Sequence, residues 1–286
     1  IYIPSVNWIL LVCCIGLVLG FRSTTGVAAA YGVAVTTTMV VTTLLMVVLM
    51  RDRWKWGRIP VTAFAVVFLA IDLAFWGANI IKIPHGGWFP LVAGAVVFAL
   101  MTTWNAGRQL LARRFAESTL PWDFFVKDMS LHPPHRVPGT AVFMYGNRDG
   151  TPPALLHSLK HYKVLHEQVV LLAVETDEVP HVPLAERATV DDLGHGFFRV
   201  VLHYGFMDEP DVPEALAAIR VPGLDLSPLR TTFFLGRETL IPSRRKGLAP
   251  WREHLFAVMS RNARTATSFF ALPPNRVVEL GAQIEL

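Results

Sequence analysis

The sequence predicts an all-α membrane region followed by an α/β domain, and the distribution of apolar residues carries this prediction. Apolar residues make up 52% of the 286 residues, which is above the range of ordinary soluble proteins. The excess is confined to roughly the first 100 residues, where charged side chains nearly vanish, while the remainder alternates charged, turn and apolar residues. We therefore expect one part of the chain in the membrane and the other in water.

Four apolar stretches predict the membrane-spanning helices. A helix needs about 20 apolar residues to cross a hydrocarbon core about 30 Å thick, because lipid offers no partner for unpaired backbone groups. The predicted spans cover residues 6–21, 26–50, 59–81 and 86–106, within a membrane region of residues 1–107. The first stretch is the shortest, and a re-entrant or interfacial piece is the alternative interpretation for it.

Loop charges predict the orientation of these spans. Lys and Arg cluster in the loop 51–58 and again at 108–114, whereas the other two connections carry only Arg22 and Lys82. Short basic loops stay on the cytoplasmic side, so we expect a multi-pass plasma membrane protein of the bacterial inner membrane with a cytoplasmic C-terminal domain. The same pattern accounts for the net charge of +4 without a nucleic-acid partner. Four tryptophans near span ends fit anchoring at the headgroup level: Trp54, Trp56, Trp88 and Trp104.

One charged residue, Asp72, lies within the predicted spans. An ionised Asp near the bilayer centre costs roughly 2.5–3.5 kcal/mol, so it usually lines a pathway or pairs with a partner. Asp72, Trp76 and Asn79 fall at helical spacing and form one stripe, which we expect to face a bundle interior or a wet cavity. Two hypotheses remain open for Asp72: a place in the path of an ion or proton, or a structural hydrogen bond to a neighbouring helix.

Hydroxyl side chains are concentrated in the second span. Hydroxyl oxygens can replace water around a hard monovalent cation, and Thr38 and Asn79 join Asp72 as candidate pathway residues. The same side chains also serve plain helix packing, because Ser and Thr bond to their own helix backbone and are cheap to bury. The hydroxyl residues of this span are Thr36, Thr37, Thr38, Thr42 and Thr43.

The sequence that follows the membrane region predicts a linker over residues 108–136 and an α/β domain over residues 137–286. The Pro-rich stretch 131–138 marks the domain entry. Strands are predicted at 139–145, 168–175, 188–193, 197–204, 231–235 and 276–280, and helices at 152–163, 213–219 and 250–264. The first two strands and the helix between them form a β-α-β unit, and the third and fourth strands form a hairpin around Gly194 and Gly196.

A histidine-rich helix and a basic helix are the candidate binding elements of this domain. His157 and His161 are one turn apart, a spacing that can bind zinc, but no HExxH pattern is present and Lys160 would repel a cation. The three residues could instead form a cationic face for an anionic ligand such as a nucleotide, or an ordinary solvated face. The helix 250–264 could rest on an anionic inner leaflet or pack its apolar side into the domain core.

Patterns of enzymes and of metal sites are absent from the sequence. No Walker or GxGxxG phosphate loop is present, and no Ser/His/Asp or Cys/His set can be placed. Cys13 and Cys14 are neighbours within an apolar run and lack the spacing of a zinc site, so we interpret them as packing residues. We therefore expect neither enzymatic activity nor a cofactor.

Several sequence blocks, taken together and in order, resemble those of the KUP/HAK/KT potassium permeases. The resemblance covers essentially the whole chain. The blocks that carry it are Val6-Asn7-Trp8, Gly20-Phe21-Arg22, residues 30–35, residues 86–91, residues 101–104, residues 137–142, Leu159-Lys160-His161, residues 164–167 and residues 273–281.

The resemblance implies part of a proton-coupled K+ importer with about 12 spans in the amino acid–polyamine–organocation (LeuT/APC-type) architecture. This chain, which begins without an initiator Met, would be a fragment that supplies the last four spans and a regulatory cytoplasmic domain. The missing N-terminal helices would hold most of the ion site, and Asp72 would be the retained acidic residue of the family. Homo-oligomers and regulation by a cyclic dinucleotide are further implied features. The alternative is a membrane-anchored nucleotide-sensing protein without transport activity.

Overall fold

The computed structural model describes residues 3–118, 120–146, 150–241 and 247–285. The chain divides into two compact units, Ile1–Thr102 and Thr103–Leu286. The first contains long apolar helices and the second contains a mixed β-sheet with helices on both faces. The predicted succession of an all-α region and an α/β domain is therefore confirmed.

Four helices in the described residues are long and apolar enough to cross a membrane. They are α1 (Pro4–Phe21), α2 (Thr24–Asp52), α3 (Arg58–Ile80) and α4 (Trp88–Ser118). Helix α1 is continuous over 18 residues, which is long enough for a span. Ser23 caps the start of α2, because its hydroxyl accepts a 3.1 Å hydrogen bond from the Gly26 amide.

The turn that precedes α4 depends on two glycines. A short 3-10 helix, Ile83–His85, leads to Gly86, whose φ of 127° is a conformation that favours glycine. A Cβ atom on Gly86 would lie 2.6 Å from the Gly26 carbonyl oxygen, and one on Gly87 would lie 2.6 Å from Val33 Cγ2. The turn therefore fits against the start of α2 only because both positions lack a side chain.

The predicted linker over residues 108–136 is wrong in its secondary structure. Helix α4 continues to Ser118, α5 spans Trp122–Leu131, and the first strand already begins at His135. Phe125 of α5 is 1% exposed and its ring lies 5.7 Å from that of Phe197. Prolines lie just before α5, at Pro121, and after it, at Pro133 and Pro134, so no proline interrupts α5 and its apolar side chains pack on the sheet.

The second unit is built on a six-stranded sheet with the order β3-β4-β2-β1-β5-β6. All neighbouring strands are parallel except β3 and β4, which form the predicted antiparallel hairpin. The strands are β1 (His135–Met144), β2 (Val164–Asp177), β3 (Ala188–Gly194), β4 (Phe197–Gly205), β5 (Thr231–Ile241) and β6 (Val277–Glu285). The predicted β-α-β unit is present as β1, α6 (Pro153–Tyr162) and β2.

Each face of this sheet carries its own apolar core, as expected of a largely parallel sheet. One core joins the strands to α7 (Val212–Ala218), through Val212, Ala215 and Leu216. The other joins them to α5 and α6, through Phe125 and Leu155. The remaining helices of the described residues are α8 (Pro250–Arg261), α9 (Ala266–Phe269) and the 3-10 turns Leu184–Glu186 and Pro274–Arg276.

Candidate functional site

The Asp72 carboxylate lies in the contact between α2 and α3. The side chain is 4% exposed, and its Oδ2 accepts a 2.6 Å hydrogen bond from the hydroxyl of Thr43. Hydrogen bonding to a neutral hydroxyl satisfies part of the carboxylate without cancelling its charge. The Asp72 side chain therefore links α2 and α3.

The rest of the predicted stripe also faces α2. The indole Nε1 of Trp76 donates a 3.2 Å hydrogen bond to the Thr37 hydroxyl. A Cβ atom on Gly32 would lie 2.7 Å from the Asn79 Oδ1, so Asn79 reaches α2 at a point where α2 has no side chain. We refer to these contacts of Asp72, Trp76 and Asn79 with α2 as the polar seam. Its existence follows from the helical spacing of the three residues.

A cleft of about 490 Å³ opens beside one end of the polar seam. Asp72 and Thr38 both line it, so two of the three predicted pathway residues lie at the same cavity. Thr38 donates its hydroxyl to the Ala34 carbonyl of its own helix at 2.9 Å. Asn79 does not line the cleft, and its amide donates to Phe75 O at 2.9 Å while its Oδ1 accepts from Lys82. The cleft-lining residues are Tyr31, Ala34, Val35, Thr38, Met39, Thr42, Thr43 and Asp72.

A second cleft, of about 660 Å³, lies within the C-terminal unit at the carboxyl ends of β1 and β5. We call it the switch-point cleft. The chain leaves β1 through α6 towards β2 on one side of the sheet order, while β5 and β6 lie on the other side. Open α/β sheets bind ligands where the strand order reverses in this way. The lining residues are Arg108, Leu111, Ala112, Phe115, Ala116, Met144, Tyr145, Gly146, Pro152, Pro153, Ala154, His157, Gly236, Leu280 and Gly281.

The structure separates the three histidine-helix candidates. His157 lines the switch-point cleft, whereas Lys160 and His161 do not, and both are exposed. The His157 and His161 rings lie 4.6 Å apart, but among the described residues no group of three or more His, Cys, Asp or Glu could hold a metal ion. Sequence reasoning missed Arg108 as a lining residue, because its charge was assigned to membrane orientation alone.

A structural carboxylate, Asp208, fixes the loop between β2 and β3. Its oxygens accept hydrogen bonds from the Val182 amide at 3.0 Å and the Gly205 amide at 2.8 Å, and His181 Nδ1 lies 2.7 Å away. These bonds, with that of Val182 the largest contribution, hold the pKa of Asp208 well below its ordinary value. Arg187 lies 3.6 Å from the same carboxylate and stacks over the Tyr204 ring at 4.6 Å. The hydrogen bonds of this loop therefore account for the low pKa of Asp208, and Asp208 lines neither cleft.

Comparison with known proteins identifies relatives for both units. A family model described as the K+ potassium transporter integral membrane domain matches residues 1–109, and one described as the K+ potassium transporter C-terminal domain matches residues 138–286. No solved structure matches the chain.

Curated relatives match the whole chain. The chain is 56% identical to the probable potassium transport system protein Kup of Myxococcus xanthus, over 100% of this chain and 44% of that protein. It is 53% identical to the protein of the same name from Azoarcus sp., with 100% and 45% covered. For Thiobacillus denitrificans the identity is 54%, with 100% and 46% covered. The chain thus spans less than half the length of these relatives.

Proposed function

Since the chain belongs to the K+ potassium transporter family, we propose that it supplies the last four spans and the regulatory domain of a proton-coupled potassium importer. The importer resides in the bacterial inner membrane with its C-terminal domain in the cytoplasm. Two features support this proposal: relatives named as potassium transport proteins, and the basic clusters at 51–58 and 108–114. The remaining helices and most of the ion site belong to the missing N-terminal part, in the LeuT/APC-type architecture.

The carboxylate of Asp72 at the edge of a hydroxyl-lined cleft is the observation that carries the transport proposal. The cleft offers oxygen ligands from Asp72, Thr38 and Thr42, which suit a hard monovalent cation. A carboxyl group can also carry the coupled proton, and charged groups kept within spans mark such pathways. In this proposal Asp72 exchanges H+ or contacts K+ during transport, and its bond to Thr43 holds it at the cleft wall.

Growth rescue at low potassium tests the transport proposal. The complete protein is expressed in cells that lack other uptake systems, and K+ uptake is followed at several external pH values. We expect rescue, with uptake that rises as the external pH falls because protons drive it. Absence of rescue from a correctly inserted protein would contradict the proposal and would favour a membrane-anchored nucleotide sensor without transport activity.

The switch-point cleft supports a second proposal, that the C-terminal domain binds a regulatory nucleotide such as a cyclic dinucleotide. Its volume of about 660 Å³ falls within the range of small-molecule sites. Arg108 and His157 place basic groups on its wall, which also includes Pro152, just before α6, and Pro153 and Ala154 of the first turn of α6. The positive end of a helix favours anions such as phosphate. We therefore propose that phosphate groups lie near the start of α6 and that the apolar wall contacts the base.

Thermal shift of the complete protein with a panel of nucleotides tests the ligand proposal. We expect His157→Ala to abolish the shift, while Lys160→Ala leaves it unchanged because Lys160 lies outside the cleft. No shift with any nucleotide, or equal effects of both substitutions, would count against a site in this cleft. Light scattering of the same purified protein tests for the homo-oligomer that the family resemblance implies.

A further inference from the structure

The start of α8 contacts the last apolar turn of α4. Arg252 Nε donates a 3.0 Å hydrogen bond to the Thr103 hydroxyl, and the Phe256 ring occupies the space where a Cβ atom on Gly107 would lie. Thr103 and Gly107 are one turn apart in α4, and their partners Arg252 and Phe256 are one turn apart in α8. The earlier residue of each helix contacts the earlier residue of the other. Helices α4 and α8 therefore run in the same direction where they touch.

This contact lies at the end of the uncharged part of α4. No charged side chain occurs in α4 from Trp88 through Gly107, and the first is Arg108. At about 1.5 Å per residue this run spans about 30 Å, which equals the thickness of the hydrocarbon core. Thr103 therefore lies about one turn inside the boundary and Gly107 lies at it. Since α8 runs parallel to α4, the first turn of α8 is level with this boundary and its C-terminal half points away.

Trp251 is the large apolar residue that this first turn exposes, next to the exposed Pro250. Its side chain is 60% exposed, although Phe256 on another side of the same helix is 1% exposed. Leu255, one turn later on the Trp251 face, is partly exposed and continues an apolar surface. The helix therefore divides its side chains between two environments: Phe256 packs within the unit, and the Trp251 face does not.

We propose that Trp251 inserts into the phospholipid headgroup layer and anchors the C-terminal domain to the leaflet where α4 ends. Tryptophan prefers this layer because its ring is apolar while its N–H can bond to lipid or water. The contact with the end of the α4 span sets the depth of the first turn of α8 at the headgroup layer, and the bond of Arg252 to Thr103 keeps it at that depth. The inference depends on membrane insertion of α4 and not on potassium transport.

Tryptophan quenching in the complete protein tests the anchor. The protein is reconstituted in bilayers whose lipids carry bromine either near the headgroup or near the chain end. Emission of Trp251→Phe is subtracted from that of the wild type to isolate Trp251. Trp122→Phe serves as the matched control, because Trp122 packs on Phe125 and Phe197 of the soluble core. Trp251→Tyr provides a second subtraction if the Phe variant fails to fold.

We expect the Trp251 difference signal to be quenched about twofold more by headgroup-proximal bromine than by chain-end bromine, because an interfacial ring lies at the headgroup level. The Trp122 signal should respond to neither lipid. Quenching of Trp251 by aqueous iodide without quenching by lipid bromine would overturn the anchor in favour of a solvated residue. Resistance to both quenchers would overturn the anchor, because it would show that Trp251 is buried against the N-terminal helices of the complete protein or against a second copy. Potassium uptake is measured on the same samples, so loss of transport is recorded separately.

Discussion

The hydroxyl of Thr43 on α2 donates a 2.6 Å hydrogen bond to the Asp72 carboxylate on α3, across the polar seam. Both side chains are buried and both line the same cleft. The pair therefore combines the two hypotheses that the sequence left open for Asp72: the carboxylate bonds to a neighbouring helix, and it also borders a cavity. Substitution of the two residues separately can tell which role matters.

Asp72→Asn should lower K+ uptake by about tenfold or more, because an amide neither carries a proton nor supplies negative charge to a cation. Thr43→Val should leave most of the uptake, since it removes the hydroxyl and keeps the carboxylate. We expect it to cost about 0.6–1.7 kcal/mol of stability, the range measured for hydrogen bonds between membrane helices. Uptake rates and thermal melting in detergent measure the two effects. An Asp72→Asn protein with wild-type rate and wild-type pH dependence would rule out the pathway role.

Gly32 should tolerate alanine but not leucine. A Cβ atom at Gly32 meets only the amide end of Asn79, which is partly exposed and can rotate away with the loss of its bond to Lys82. A leucine side chain has no such space and must push α2 and α3 apart, which typically costs 1–3 kcal/mol, about the cost of overpacking a core. Thermal melting of the two variants measures the difference. Equal melting temperatures for Gly32→Leu and wild type would show that the helices do not depend on close approach at this point.

Gly107 and Phe256 should be energetically coupled. Gly107→Ala places a methyl group against the body of a buried ring, so we expect a loss of about 1–3 kcal/mol. Phe256→Ala should cost about 3–5 kcal/mol alone and clearly less in the Gly107→Ala background, where the ring is already displaced. A double-mutant cycle by thermal melting measures the coupling. Strict additivity of the two losses would contradict the packing of α8 on α4.

Asp208→Asn should destabilise the C-terminal domain in a pH-dependent way. The folded state lowers the pKa of Asp208, so the ionised form favours folding. This contribution is complete above the unfolded pKa of about 3.9 and is lost as the pH falls towards the lower folded value. The melting temperatures of wild type and variant should therefore differ most near neutral pH and converge in acid. Asp191→Asn is the control, because Asp191 is an exposed residue of strand β3. A difference that stays constant from neutral pH to acid would contradict the role of the charge.

The order of elements could be predicted because each depends on a local pattern. Uncharged apolar stretches that are long enough to cross the bilayer predict helices, because lipid offers no other partner for the backbone. The continuous apolar runs of β1 and β2 predict strands of a parallel sheet that is covered on both faces. The polar seam was predictable for the same reason, since Asp72, Trp76 and Asn79 share one face of any helix. The segment 108–131 was missed because its helices depend on what they pack against, as the burial of Phe125 on the sheet shows.

By itself, the sequence determined which residues enter the membrane, which strands form, and which side of α3 is polar, because these properties depend on residues within one turn or one strand of each other. Only the tertiary structure decided that Thr43 is the partner of Asp72, that His157 but not Lys160 reaches the switch-point cleft, and that Phe256 fits against Gly107. Each of these contacts joins distant parts of the chain, and their distances depend on how the elements pack rather than on the local spacing of residues.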